Sequence, residues 1–142
     1  MMYVKTIDGA VSKFPYSTWE LRQENPNTSF PKSLTSEILE SYGVYAVTEN
    51  KPDFDHLVQT LTAGTPAPRD GAWQVDYVAV NLSEEDAKNA VRSERDNLLS
   101  ETDWMALSDV VMSSEMTAYR QSLRDIPQQQ GFPFAVSWPT KP

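Results

Sequence analysis

The sequence predicts an α+β protein. A small antiparallel β domain, a sheet or sandwich with short helices, is followed by a C-terminal α-helical hairpin module that ends in an irregular aromatic tail. Three observations lead there. Up to residue 81 the strand-like stretches are short, alternate with a period near two and are separated by turn dipeptides. Beyond residue 82 the apolar spacing becomes three, four and seven. The change coincides with Ser83-Glu84-Glu85-Asp86, a helix-capping pattern with an acidic first turn. The expected domains are therefore 1–81 and 82–142.

Met2 to Ile7 reads as a strand, Asp8-Gly9 as a type I′ turn pair, and Ala10 to Phe14 as the returning strand, which Pro15 should end. Ser17-Thr18-Trp19-Glu20 is a capping box, so a short helix is expected over Thr18 to Glu24, ahead of Pro26. Thr35 is placed to cap a second helix, Leu34 and Leu39 to staple its start, and Gly43 to close its end. Val44 to Thr48 is β-rich and Asn50-Lys51-Pro52-Asp53 turns the chain. A strand follows with Leu57, Gln59 and Leu61 on one face and Val58, Thr60 and Thr62 on the other. Residues 63–71 read as a loop from their Gly and Pro content, and Trp73, Val75, Tyr77 and Ala79 mark the last strand.

In the second domain Ala87, Ala90, Val91 and Leu98 draw one helical stripe to about Leu99, short of large side chains. Thr102-Asp103-Trp104 interrupts it. A second helix is expected from Ser113 or Ser114 to Asp125, with Met116, Tyr119, Leu123 and Ile126 on one face and Pro127 as its stop. Phe132-Pro133-Phe134-Ala135-Val136-Ser137-Trp138-Pro139 forms the tail.

Composition narrows function. Twelve Lys and Arg against 20 Asp and Glu leave a net charge of −8. The deficit is even, since residues 1–82 and 83–142 each carry six basic and ten acidic side chains. An acidic chain with no basic stripe is a poor partner for nucleic acid, whose binding depends on clustered Lys and Arg, and for anionic membranes. Cysteine is absent, which removes disulfides and thiolate chemistry and suits a reducing compartment. No signal-like N-terminus or membrane-length apolar run is present, so the expectation is a soluble, cytosolic protein. Hydrophobic residues make up 39%, below the usual ~45–50%, so two small modules would each gain from a partner.

No catalytic constellation stands out. His56 is the only histidine, beside Asp53 and Asp55, without a partner signature for acid–base chemistry or a metal-loop spacing. Carboxylates abound, but none forms a singled-out pair, and the five glycines are scattered. Neither a catalytic residue nor a cofactor or metal is expected. Arg120 and Arg124, one helical turn apart, read either as solvent-facing partners of nearby acids or as a clamp on a partner's carboxylates and carbonyls. The aromatics Trp104, Tyr119, Phe132, Phe134 and Trp138 crowd a segment with few other large apolar residues. Trp104 with Tyr119 and Leu123 is the natural core, while the tail aromatics serve either core or interface, since Trp, Tyr and Arg dominate binding hot spots.

Arg95-Asp96-Asn97-Leu98-Leu99-Ser100-Glu101-Thr102-Asp103-Trp104, then Tyr119-Arg120-Gln121-Ser122-Leu123-Arg124-Asp125-Ile126-Pro127, then Phe132-Pro133 and Val136-Ser137-Trp138-Pro139 resemble the phage tail assembly chaperone domain over about residues 90–139. The chain departs from that pattern at Val110-Val111, where the family often has a proline-containing linker, and at Met116, near where it often has a Trp. The resemblance implies a non-enzymatic phage protein of the infected host's cytoplasm, retained in the virion or not. It would bind the distal part of a trimeric tail fibre, itself oligomeric in that complex, and shield sticky segments during assembly. Residues 1–81 would be a β-rich fibre-binding domain and 82–142 the assembly chaperone domain. Trp104, Tyr119, Arg120, Leu123, Arg124, Phe132, Phe134 and Trp138 are the expected partner-binding residues. A structural component of the fibre or baseplate, and a host-directed binder, are the competing readings.

Overall fold

Two left-handed residues, Asp8 (φ 52°) and Gly9 (φ 78°), close the first hairpin, joining β1 (Tyr3–Ile7) to β2 (Ala10–Tyr16) in the manner the Asp-Gly pair foretells. The computed structural model from which this and every other element is taken describes all residues 1–142. Helices α1 (Thr18–Glu24) and α2 (Ser36–Ser41) follow, then β3 (Val44–Asn50), β4 (Gln59–Ala63), β5 (Ala67–Arg69) and β6 (Ala72–Asn81). Helix α3 (Glu84–Ser100), a 3-10 turn (Asp103–Ala106), helix α4 (Ser114–Asp125) and a second 3-10 turn (Ile126–Gln128) complete the chain. The class is α+β. The chain forms two compact units, Met1–Asp53 with Leu61–Val78, and Phe54–Thr60 with Ala79–Pro142.

The six strands make one curled sheet in the order β2-β1-β3-β6-β4, with β5 also on β6. It is mixed, not antiparallel as expected: β3 and β6 run parallel, with Val47 opposite Trp73 and Glu49 opposite Val75. Alternation reports which face of a strand is buried. It carries no information about which neighbour the strand pairs with, so the crossover stayed hidden. Two further expectations need correction. Pro15 does not end the hairpin, because β2 is an edge strand that tolerates a residue without an N–H, and the strand runs on to Tyr16. The stretch read as a loop contains β5, which pairs with β6 through a second Asp-Gly turn at Asp70 (φ 50°) and Gly71 (φ 78°). Its Pro and Gly content masked that turn.

In the first unit both sheet faces bury side chains. Tyr16, Val44 and the half-buried Tyr3 pack with Leu21 of α1 and Leu39 of α2, while Val4, Val47 and Val75 pack with Tyr45 and Trp73 on the other side. The helix ends are capped as anticipated. Ser17 accepts the Glu20 N–H and the Glu20 carboxylate accepts the Ser17 N–H at 2.8 Å, while Thr35 Oγ1 accepts the Ile38 N–H. Gly43 closes α2 in the left-handed region (φ 69°), its carbonyl accepting the Thr6 N–H at 2.7 Å. A Cβ at Gly43 would stand 2.7 Å from the Thr6 carbonyl oxygen, so glycine is required twice over.

In the second unit Val58 joins Ala87, Val91, Met116, Tyr119, Leu123 and Ile126 in one core. Helix α3 contributes only Ala87 and Val91 as fully buried side chains, as its thin stripe indicated, and α4 supplies the large ones. Leu82 N–H donates to Val58 O at 2.8 Å, fixing the valine against the helices.

Leu123→Ala should lower stability by about 2–5 kcal/mol, the range for a fully buried leucine. Gly43→Ala should cost more than the ~1–2 kcal/mol of a left-handed non-glycine residue, because the Thr6 carbonyl must also move. Urea unfolding of both variants checks these values. Tyr16 adds a pH signature. Burial first, and then donation to Glu24 Oε2 at 2.7 Å, raise its phenol above the ordinary value. A raised folded pKa means stability is intact below the unfolded value near ~10 and falls as pH climbs beyond it. Tyr16→Phe should flatten that alkaline decline in a pH series of thermal melts.

Candidate functional site

Arg120 organises the helical unit's surface. Its Cα lies on α4 among the apolar side chains of the core face, so the guanidinium is carried inward and must find partners there. It donates to Leu99 O at 2.9 Å, to Thr102 Oγ1 at 2.5 Å and to Asp103 Oδ1 at 2.8 Å. Thr102, fully buried, in turn donates its hydroxyl to Leu99 O at 3.0 Å. One arginine therefore adds a charged donor to Leu99 O, which also accepts the Thr102 N–H, and ties the end of α3 to the 3-10 turn beyond it. Its side chain is 8% exposed, whereas Asp103 is 65% exposed, so the buried Thr102 hydroxyl and the part-buried Leu99 carbonyl matter more than the solvent-screened ion pair.

The turn held in this way presents an apolar surface. Trp104 is 56% exposed, Leu107 58% and Val111 97%. Met105, Val110, Met112 and Met116 line a shallow depression of about 240 Å³ beside them. Trp104 was expected in the core with Tyr119 and Leu123. Those two are buried and Trp104 is not, because pinning Thr102 and Asp103 to Arg120 commits the next residue to the outside. Ser113 caps α4 by accepting the Met116 N–H at 3.1 Å. Glu115 in its first turn is held below the ordinary carboxylate range by its own backbone N–H first and then by the Ser113 and Ser114 hydroxyls.

The tail folds back in a fixed loop. Gln129 Nε2 donates to Ser137 O at 2.9 Å and Ser137 N–H donates to Gln129 Oε1 at 2.8 Å. Gly131 sits so close to the Ala135 carbonyl that no side chain fits there. Phe132, Val136 and Trp138 pack against the core, and Arg92 stands over the Phe132 ring at 5.7 Å. Phe134 faces solvent.

A groove of about 500 Å³ opens between this tail, α3 and the segment preceding β4. Trp138 and Leu98 form one side, with Glu94 one helical turn from Leu98; Phe54, Asp55, His56 and Leu57 form the other. The Asp55 carboxylate accepts the Leu57 N–H at 2.9 Å, and the His56 ring lies 4.1 Å from that of Phe54. No three His, Asp or Glu side chains are grouped to hold a metal ion.

Of the eight residues singled out from sequence, the structure brings Tyr119, Arg120 and Leu123 into the interior, packs Phe132 and Trp138 half-buried on it, and leaves Trp104, Arg124 and Phe134 outside. Leu107, Val111 and Phe54 were missed. Leu107 and Val111 belong to no periodic pattern, and Phe54 lies far from the helices in sequence. The pieces of the quoted motif meet in space, since Leu99, Thr102 and Asp103 are the partners of Arg120.

Residues 88–142 match the family model of the phage tail assembly chaperone protein. The match supports the resemblance read from the sequence, over the C-terminal part of the chain. It takes in the Arg120 node, the exposed turn and the tail, but not Phe54–Val58 or the β-strands. No curated protein and no solved structure matches the chain. No helix is long and apolar enough to cross a membrane.

Arg120→Met should destabilise the helical unit by about 1–3 kcal/mol, the range for losing hydrogen bonds made by a charged group in a largely buried setting. Asp103→Asn should cost under about 1 kcal/mol, since that partner is exposed. Paired urea titrations test the ordering, and equal losses would show that the ion pair dominates.

Proposed function

We propose that the protein is a non-catalytic chaperone that binds the distal part of a phage tail fibre and shields it while the fibre folds and trimerises. The observation that carries this reading is the apolar turn Trp104–Val111, exposed within the family-matched segment and anchored by Arg120. Exposed contiguous apolar surface marks interaction sites, and a rigid aromatic ringed by adaptable methionines suits a client with incompletely formed structure. Of the residues expected at the interface, Trp104, Phe134 and Arg124 are accessible to a partner; Tyr119, Arg120 and Leu123 would act by holding the surface in shape. The β-rich unit would add contacts, though its β2 edge is irregular in register and carries Pro15, features that blunt strand addition. The working compartment on this reading is the cytoplasm of the infected host, with a trimeric fibre as partner.

Co-expression with the adjacent fibre gene, and then size-exclusion chromatography with mass determination, tests the proposal. A soluble complex is expected, with fibre insoluble when made alone. Serine at Trp104, Leu107 and Val111 together should abolish the complex while leaving the circular dichroism spectrum unchanged. A fibre that folds unaided and binds nothing would sink the chaperone reading, and an unimpaired triple variant would sink the choice of surface.

A further inference from the structure

The groove beside Trp138 is chemically unlike the exposed turn. Its walls are apolar, from Phe54, Leu57, Leu98 and Trp138, yet two carboxylates, Asp55 and Glu94, stand in its lining with no lysine or arginine to neutralise them. Both walls are fixed before anything binds. On one, Asp55 N–H donates to Gln59 Oε1 at 3.0 Å, Gln59 N–H donates to Asp55 O at 2.8 Å, and Gln59 Nε2 donates to Asn81 Oδ1 at 2.9 Å. On the other, Glu94 and Leu98 share a face of α3, and Trp138 is held by the paired Gln129–Ser137 hydrogen bonds. A volume of about 500 Å³ lies within the ~300–1,000 Å³ typical of ligand pockets. It has room for more than one side chain.

We propose that this groove docks a short peptide segment in which an arginine or lysine is flanked by apolar residues, supplied by the client tail protein. The aliphatic stem of the basic side chain would lie along Trp138 and Phe54, with its cationic head between Glu94 and Asp55. Apolar stems on aromatic faces and charge-assisted bonds to carboxylates are the two interactions this lining offers. An acidic segment or a phosphate would meet two uncompensated negative charges in a chain whose net charge is already −8. One wall, Phe54–Leu57, lies outside the family-matched residues 88–142 and the other within them. The N-terminal half of the chain thus completes the site and tunes which client it accepts. The inference rests on the chaperone reading only for the source of the segment, not for its chemistry.

The test titrates the full chain with acetyl-Leu-Arg-Leu-Phe-amide, and with the same peptide carrying Glu in place of Arg, while tracking the Trp138 indole N–H and the Leu98 methyl resonances. The arginine peptide should move both signals saturably, and the glutamate peptide should bind at least about tenfold more weakly, a difference of ~1.4 kcal/mol. Glu94→Lys should weaken the arginine peptide by a similar factor. Asp55→Asn, which keeps an oxygen to accept the Leu57 N–H, provides a second variant that leaves the wall intact. Equal binding of both peptides, shifts confined to Trp104, or insensitivity to both substitutions would overturn the proposal. Failure here with a stable fibre complex would leave the chaperone reading standing. Peptide binding without any fibre complex would keep the groove's chemistry and reject the tail client.

Discussion

A buried arginine at position 120 would be a liability if its donors found no acceptors, and the geometry of the helical unit depends on how they are satisfied. At the end of α3, Leu99 O accepts the Thr102 N–H and hydroxyl, and the guanidinium adds a further donor to it. The same group holds the Thr102 hydroxyl and the Asp103 carboxylate, so the chain leaving α3 cannot continue straight or fray. It turns instead into a 3-10 segment whose next residues point outward. Exposure of Trp104 is thus a consequence of a polar interaction made inside, and the apolar turn is anchored by that interaction.

The second dependence is on Val58. It lies in the segment before β4, yet belongs to the core formed by α3 and α4. Because α3 brings only Ala87 and Val91 as fully buried side chains, the helical unit lacks enough large apolar surface of its own, and a valine from the preceding β-region supplies part of it. The same segment brings Phe54, Asp55 and Leu57 to the groove. A module that recruits part of its core from elsewhere in the chain also takes part of its groove lining from there. The family-matched residues therefore account for only one side of the groove.

Much of the local structure was legible in the residues themselves. The Asp8-Gly9 turn, the Ser17, Thr35, Ser83 and Ser113 caps and the buried face Met116-Tyr119-Leu123-Ile126 each rest on interactions within a few residues, and each formed where its pattern lay. The turn at Asp70-Gly71 is equally local, but the flanking Pro66 and Pro68 give its surroundings the composition of a loop. The site was less legible. Arg120 and Arg124 look alike in sequence, one turn apart, yet one is interior and one is exposed, because only the first faces the end of α3.

The sequence by itself determined the α+β class, the helix limits, the absence of cysteine chemistry, the acidic balance and the family resemblance, all of which depend on composition or short-range spacing. Only the tertiary structure decided that β3 and β6 run parallel, that Val58 serves the helices, that Trp104 is surface and not core, and that Phe54 and Trp138 share a groove. Each of these joins residues distant in sequence. Periodicity states that a side chain must be buried, but only packing chooses what buries it.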